Sequence, residues 1–344
     1  MSRCPNMPEN WEPPAPAWRC ALGDAKGVLV AHFGSQSDKE MPTALDNWIA
    51  QRLDDVDAPP RVDRALYRDS AGKYCRLTLC YWLDRAAFDR WLASAASWWA
   101  DDARLSEGVG YFREVYDIPA NRFETIWSSS EEHTIGVRDI LEVEGPMCEH
   151  AYWGAARDRL EISATDELLS PLGHELPLSY AQTLGQRISL TPPENLCVIR
   201  SGQDWSRCSQ NEAVSYFANV EPALRAGMEF LSANRAETGC VDCRFAHEIG
   251  VDGETVKQSF GLAQFLTLGH LEYWSKSHET HLAIFDRFMA MLATHDFDVA
   301  LHLYHELFVT NRDNPAFEYI NCHNRTGLLS IGLANQARGP SIIE

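Results

Sequence analysis

Tyr74-Cys75-Arg76-Leu77-Thr78-Leu79-Cys80-Tyr81-Trp82 reads as a β-strand with near alternation of apolar and polar side chains. Residues 86–100 follow with Phe88, Trp91, Leu92, Trp98 and Trp99 at helical spacing, and Val109-Gly110-Tyr111-Phe112-Arg113-Glu114-Val115-Tyr116 reads as a further strand. Toward the N-terminus, residues 27–33 read as a strand and residues 44–53 as a helix. Toward the C-terminus a similar order recurs. Residues 134–143 and 195–200 read as strands, 212–231 as one long helix, and 243–249 and 257–266 as strands. Two helices follow, over 269–276 and 278–293, with Ser277 or His278 able to cap the second, and then a strand over 301–309. Strand–helix–strand–strand–helix–strand is the ferredoxin-like motif. The pattern predicts an α+β fold of two tandem ferredoxin-like halves: an extended N-terminal arm (1–25), an N-terminal half (26–128), a C-terminal half (129–330) and a tail (331–344). The arm is marked by Pro5, Pro8, Pro13, Pro14 and Pro16, and residues 161–194 read as a long loop or lid.

The 344 residues are 45% apolar, enough for one large core or two ordinary domains. Thirty Lys and Arg against 49 Asp and Glu give a formal charge of −19, which repels phosphate backbones and anionic lipid surfaces. Neither nucleic acid nor membrane is therefore expected as a partner. The first residues carry no apolar signal segment and no run of 18 apolar residues occurs, so a cytoplasmic protein with reduced thiols is expected. Cys240-Val241-Asp242-Cys243 is a lone Cys-x-x-Cys without a second pair at zinc spacing. Arg244 follows it, so it is not a site of covalent haem attachment.

The chemistry-bearing residues concentrate late in the chain. On a helix, His281 shares a face with Ile284, Phe285 and Phe288. On a strand, His305 shares a face with Leu301, Leu303, Leu307 and Val309. Two imidazoles on apolar faces are either core histidines with satisfied hydrogen bonds or basic nitrogens inside a greasy pocket, and a haem pocket fits the second description. Glu124, among Phe123, Ile126 and Trp127, is either a solvated strand residue or a carboxylate that orients a histidine. Arg157 and Arg159 follow Tyr152-Trp153-Gly154 and read first as surface ion-pair residues. Ser201, at the end of the strand Val198-Ile199-Arg200, is either a turn residue or a hydrogen-bond donor to a site. No Gly-x-Ser-x-Gly elbow, phosphate-binding glycine loop or dinucleotide fingerprint is present.

Taken together, these segments resemble the haem-containing aldoxime dehydratases, from about Pro13 to Leu329. The resemblance runs through Trp98-Trp99, Arg104 to Glu114, Phe123-Glu124-Thr125, Tyr152-Trp153-Gly154 with Arg157-Asp158-Arg159, and Ile199 to Trp205. It continues through Ser277-His278-Glu279-Thr280-His281-Leu282, Leu303-Tyr304-His305-Glu306 and Phe317 to His323. It implies a fold of the dimeric α+β-barrel type and a lyase that converts R–CH=N–OH to R–C≡N with non-covalent haem b, ferrous in the active state. It implies an aldoxime as small-molecule substrate and a homodimer. By the same resemblance His281 is the proximal iron ligand, His305 the distal acid–base group and Glu124 its paired carboxylate. Ser201 and Arg159 are then the groups at the oxime, and the substrate nitrogen binds the iron directly. The interval from His281 to His305 is about three residues longer than in the family, an excess expected in the turn at 294–298. Glu279 stands where proline is usual. Another haem enzyme on the same fold, such as a peroxidase or a chlorite-dismutase-like oxidoreductase, or a non-catalytic haem carrier or sensor, are the alternatives.

Overall fold

The computed structural model describes residues 5–131, 133–178 and 180–331. The strands, in chain order, are β1 (Arg19–Ala21), β2 (Gly27–Ser37), β3 (Arg61–Arg68), β4 (Tyr74–Trp82), β5 (Gly110–Pro119), β6 (Phe123–Trp127) and β7 (Glu142–Glu144). Then come β8 (Arg187–Leu190), β9 (Cys197–Asp204), β10 (Cys240–Ile249), β11 (Thr255–Phe265), β12 (His302–Val309) and β13 (Phe317–Ile320). The helices are α1 (Ala44–Ala50), α2 (Arg85–Ser94), α3 (Ala96–Ala100), α4 (Ala155–Arg159), α5 (Gln210–Ser215), α6 (Glu221–Ala233), α7 (Arg235–Thr238), α8 (Leu268–Ser277) and α9 (Glu279–Thr294).

One 11-stranded sheet runs in the order β6-β12-β9-β11-β10-β3-β4-β2-β5-β13-β8, and β1 pairs with β7 apart from it. All of these pairings are antiparallel. The fold is α+β. Although β6 follows β5 in the chain, it lies at the far edge beside β12, and this exchange carries Glu124 to the C-terminal histidine strand.

The sheet curls until its inner face meets itself. Phe308 of β12 and Phe317 of β13 each lie 4.9 Å, centroid to centroid, from Tyr116 of β5. The outer face is covered by helices. Phe33, Trp82, Trp91 and Trp99 bury α1–α3 against β2 and β4. Leu231, Leu271, Trp274 and Leu307 bury α6 and α8 against the later strands. Each of these side chains removes apolar area worth about 25 cal/mol per Å². Among the described residues no helix is long and apolar enough to cross a membrane.

Charge is buried inside the curl, where an unpaired charge is costly. Arg244 forks onto Glu114 at 2.9 and 2.7 Å, and the Tyr319 hydroxyl donates to the same carboxylate at 3.0 Å. Arg200 bonds Asp63, Glu248 (2.7 Å) and the Tyr81 hydroxyl (2.9 Å), and Tyr81 donates to Glu306 at 2.8 Å. Burial pushes the Glu248 carboxyl up to about 7 against the pull of Arg200.

Several local expectations need correction. Residues 134–143 do not form a strand. A 3-10 turn (Gly136–Asp139) forms instead, because the amides of Gly136 and Val137 donate to the buried carboxylates of Asp63 (2.9 Å) and Glu306 (2.7 Å). Only β7 remains extended there. The single helix over 212–231 is interrupted by a π turn (Tyr216–Val220), since Pro222 has no N–H to give to Ala218. The helix over 86–100 divides at Ala95 into α2 and α3. Strand β3 went unread because Arg61, Asp63, Arg64 and Arg68 mask it, yet Asp63, Ala65 and Tyr67 alternate inward. The proposed lid is anchored. Leu168 and Leu176 are buried, and β8 forms the sheet edge beside β13. The arm is tied down as well: β1 pairs with β7, and Trp18 exchanges two backbone hydrogen bonds with Trp127 at 2.9 and 2.8 Å. The tail beyond Ile331 lies outside the described residues.

Candidate active site

Residues opposite each other in an antiparallel ladder share a face, with Cβ atoms about 5 Å apart. His305 of β12 stands opposite Ser201 of β9 on one side and Ile126 of β6 on the other. One step along, Leu307 stands opposite Ile199 and Glu124. His305, Ser201 and Glu124 therefore project from one face of three adjacent strands. That face looks outward toward α8 and α9, as Leu307, Ile199, Trp274 and Ile284 belong to one apolar cluster. The opposite face carries Arg200, Tyr304 and Glu306 into the curl. Gly202 is required between the two, because a Cβ there would lie 2.0 Å from the Tyr304 ring.

Arg159 enters from the last turn of α4. Its Nε and Nη2 donate to the two oxygens of Glu124 at 2.7 and 3.0 Å, and Nη1 donates to the Glu149 carbonyl at 2.7 Å. Both side chains of the pair are nearly inaccessible, at 5% and 3%. The carboxylate expected beside His305 is therefore engaged by Arg159, and among the described residues no ion pair joins Glu124 to His305. A guanidinium has five N–H groups. Three are used, so two are left for a ligand. The Ser201 hydroxyl makes no hydrogen bond among the described residues.

Burial alternates along these strands. In β9, Ile199 and Ser201 keep accessible surface while Arg200 and Gly202 are buried; in β12, Leu303 and His305 do so while Tyr304 and Glu306 are buried. In β6 only Ile126 does. The face under the helices is the less filled one. Helix α9 rests on α6, α8 and the π turn and stands off the strands, and Met291 is its one buried residue. Together these describe an interior cleft between β6-β12-β9 and α8-α9.

His281 lies on α9 across this cleft. The Trp274 ring is 4.8 Å away and the Trp153 ring 6.2 Å, both edge-on. The expected neighbour Phe285 is 49% exposed, because α8 supplies Trp274 in its place. Burial drives the His281 imidazole down to about 4 against the pull of the Ser275 backbone, and its Nδ1 is buried without a hydrogen-bond partner. His305 is also driven down to about 4, first by burial, then by Arg159 and by His281 across the cleft. A neutral imidazole is what iron takes, and an apolar cleft with a second neutral imidazole on its far wall suits a haem. The residues present fit that cofactor. A groove of about 1180 Å³ lies elsewhere, beside Arg68, Tyr74, Arg225 and Phe245, and none of the five site residues lines it.

Sequence reading missed the two tryptophans at His281 and the buried His150, whose imidazole is pushed down by burial and by Arg159. The order Tyr152-Trp153-Gly154 ahead of Arg159 was the available signal. Another unread histidine pair lies at the end of β12, where His302 stacks on His133 at 3.9 Å and His133 reaches Asp204 at 3.3 Å. Burial, then His133, lowers His302 to about 3. Cys240 and Cys243 are free thiols of β10.

A pH dependence follows from these imidazoles. Unfolded histidine titrates near 6.5. Between pH about 6.5 and 4 the unfolded chain takes up protons that His302 and His305 refuse in the fold, so stability is lost as pH falls through that window. The denaturant midpoint of haem-free protein should drop from pH 7 to pH 4. A flat midpoint would contradict buried neutral imidazoles.

Residues 31–328 match the model of the haem-containing dehydratase family. Phenylacetaldoxime dehydratase of Bacillus sp. (strain OxB-1) is 37% identical over 332 residues, covering 94% of this chain and 93% of that protein. Aliphatic aldoxime dehydratase of Pseudomonas chlororaphis is 34% identical over 340 residues, covering 95% of each. A crystal structure of an aldoxime dehydratase in complex with butyraldoxime superposes with a TM-score of 0.86 at 34% identity, covering 95% of this chain and 92% of that one. The chain belongs to the haem-containing dehydratase family.

Proposed function

We propose that the protein is a haem-dependent lyase that dehydrates aldoximes, R–CH=N–OH, to nitriles and water. The observation that carries this reading is the convergence of His305, Ser201, Glu124 and Arg159 on one cleft facing His281, in a chain whose relatives are aldoxime dehydratases. The cofactor would be haem b held non-covalently through His281, since no Cys-x-x-Cys-His is present. When bound in its ferrous state, it supplies an iron centre that takes the oxime nitrogen and lends electron density to N–O cleavage. The halves β2-α1-β3-β4-α2-β5 and β9-α6-β10-β11-α8-β12 are read as tandem ferredoxin-like units, which the mirrored order β12-β9-β11-β10 and β3-β4-β2-β5 supports. We further propose a homodimer.

The chain's own residues then divide the work. The apolar walls Ile126, Ile199 and Leu303 exclude water and hold the R group. Ser201 and the spare N–H groups of Arg159 fix the oxime hydroxyl, and Glu124 holds Arg159 in place. Protonated His305 delivers its proton to that hydroxyl, which leaves as water with the N–O electron pair. Neutral His305 then removes the carbon-bound proton, and the C–H electrons become the third C–N bond. The atoms and electrons balance without net oxidation.

The test is anaerobic. Haem-reconstituted, dithionite-reduced protein is mixed with butyraldoxime or phenylacetaldoxime, and nitrile is followed by chromatography. Nitrile formation is the expected result, and its absence with both substrates would sink the reading. Ser201→Ala should keep the wild-type Soret band and turn over about tenfold slower, the cost of one lost hydrogen bond near 1.4 kcal/mol. Unchanged rates would remove Ser201 from the site.

A further inference from the structure

The N-terminal arm runs antiparallel beside the segment that delivers Arg159 to the cleft, and it is fastened to that segment at every stage. β1 pairs with β7, Arg19 opposite Glu144 and Ala21 opposite Glu142. The Ala17 carbonyl accepts from the Met147 amide at 2.9 Å, and Trp18 lies against Gly145, where a Cβ would be 2.8 Å from its ring. The Trp11 indole N–H donates to the His150 carbonyl at 3.0 Å, and its ring meets Tyr152 edge-on at 5.6 Å. Asn6 then closes the run. Its amide N–H reaches both Asp158 oxygens at 3.3 and 3.1 Å, and its side-chain Nδ2 donates to Oδ1 at 2.8 Å. The Tyr152 hydroxyl donates to the same carboxylate at 2.9 Å.

The last contact matters because of what it holds. Asp158 precedes Arg159 in α4, a helix of five residues. A helix that short has almost no stability of its own. It starts at Gly154, with φ +94°, and the Asn6 side chain covers that glycine so closely that a Cβ would lie 2.7 Å from it. Trp153, the neighbour of His281, is the residue just before. On the cleft side the helix is held by Arg159 to Glu124 and by Arg157 to Glu272 of α8, the latter at 2.7 to 3.1 Å. On its outer side it is held by the arm.

We infer that the arm, through Asn6 and Trp11, is a positioning element of the active site: it holds α4 so that Arg159 presents its spare N–H groups at the oxime. Residues 5–21 lie outside the stretch that matches the family model, residues 31–328. This inference rests on the reading of Arg159 as a group at the substrate.

The experiment compares wild type, the Asn6→Ala/Trp11→Ala double variant, Arg159→Ala and the triple variant, all as full-length, haem-reconstituted, reduced protein with butyraldoxime. The double variant should keep the Soret spectrum and lose turnover by about tenfold, a partial form of the ~10²-fold cost of a 1 Å misplacement. In the Arg159→Ala background the same two substitutions should change turnover no further, because the arm acts through that arginine. Wild-type turnover in the double variant, or a loss that repeats in full in the Arg159→Ala background, would overturn the arm's role while leaving Arg159 in place. Wild-type turnover in Arg159→Ala itself would instead overturn the reading on which the inference rests.

Discussion

His305→Ala should keep its haem and lose turnover by ~10²-fold or more, the scale of general acid–base work by one positioned imidazole. The substitution is local. The opposite face of β12 is locked by Tyr304 and by Glu306, which accepts from Tyr81 at 2.8 Å and from the Val137 amide at 2.7 Å, so the strand keeps its register when the imidazole is removed. Nothing else among the described residues on that face can take over both proton transfers. Ser201 has a hydroxyl of far higher pKa, and Glu124 is forked by Arg159. The loss should fall on kcat with a small change in KM, because the apolar walls and Ser201 still bind the oxime. Burial and the nearby Arg159 hold the imidazole down at about 4. The limb of the kcat profile that this imidazole produces should vanish in the variant. An unchanged profile with near-normal turnover would exclude His305 as the acid–base group. Loss of the Soret band together with activity would make it an iron ligand instead.

How much of this was legible in the sequence depends on the range of the contacts. The longer helices and, β3 aside, the longer strands were readable because each writes its own period, as in Tyr74–Trp82 or His302–Val309. Strand β3 was not, because its inward residues include Asp63, whose place in the core makes sense only with Arg200, 137 residues away. The turn at Gly136 was hidden for the same reason, its amides being satisfied by Asp63 and Glu306. The site residues had identities that resemblance could number, but their grouping comes from register. His305 meets Ser201 and Ile126 only because β12 lies between β9 and β6, an exchange of edges that no local pattern records. The interval after His281, expected from the resemblance to exceed the family's by about three residues, is a milder case. Residues 295–301 form a turn with Asp296 and Phe297 at positive φ, and β12 beyond it pairs with β9 without a break from His302 to Val309. A turn absorbs extra residues at little cost because loop closure grows slowly with length.

His281→Ala should abolish haem binding, and with it all nitrile formation. The argument rests on what would be left in the cleft. Across from His305, the wall around His281 offers Ile284 of α9, the Trp274 ring of α8 and the Trp153 ring that precedes α4, none of which can donate a lone pair to iron. The apolar contact that remains would hold a porphyrin loosely, with no protein ligand for its iron. Unfolding does not account for the expected loss. Alanine is a better helix former than histidine, so α9 keeps its shape. The Nδ1 atom of His281 is buried without a partner, so the substitution removes little polar contact beyond the pull of the Ser275 backbone. The haem-free variant should therefore melt close to the haem-free wild type while failing to develop a Soret band on reconstitution. His278→Ala supplies the contrast three residues earlier. Its imidazole caps α9 by accepting from the Thr280 amide, so that variant should lose about 1 kcal/mol of stability and still bind haem. On this assignment the two variants would separate a structural role from a ligand role within one turn of helix. A full Soret band and wild-type turnover in His281→Ala would end the ligand assignment. A Soret band restored to that variant by free imidazole would strengthen it, because the added base fills the vacated position on the iron.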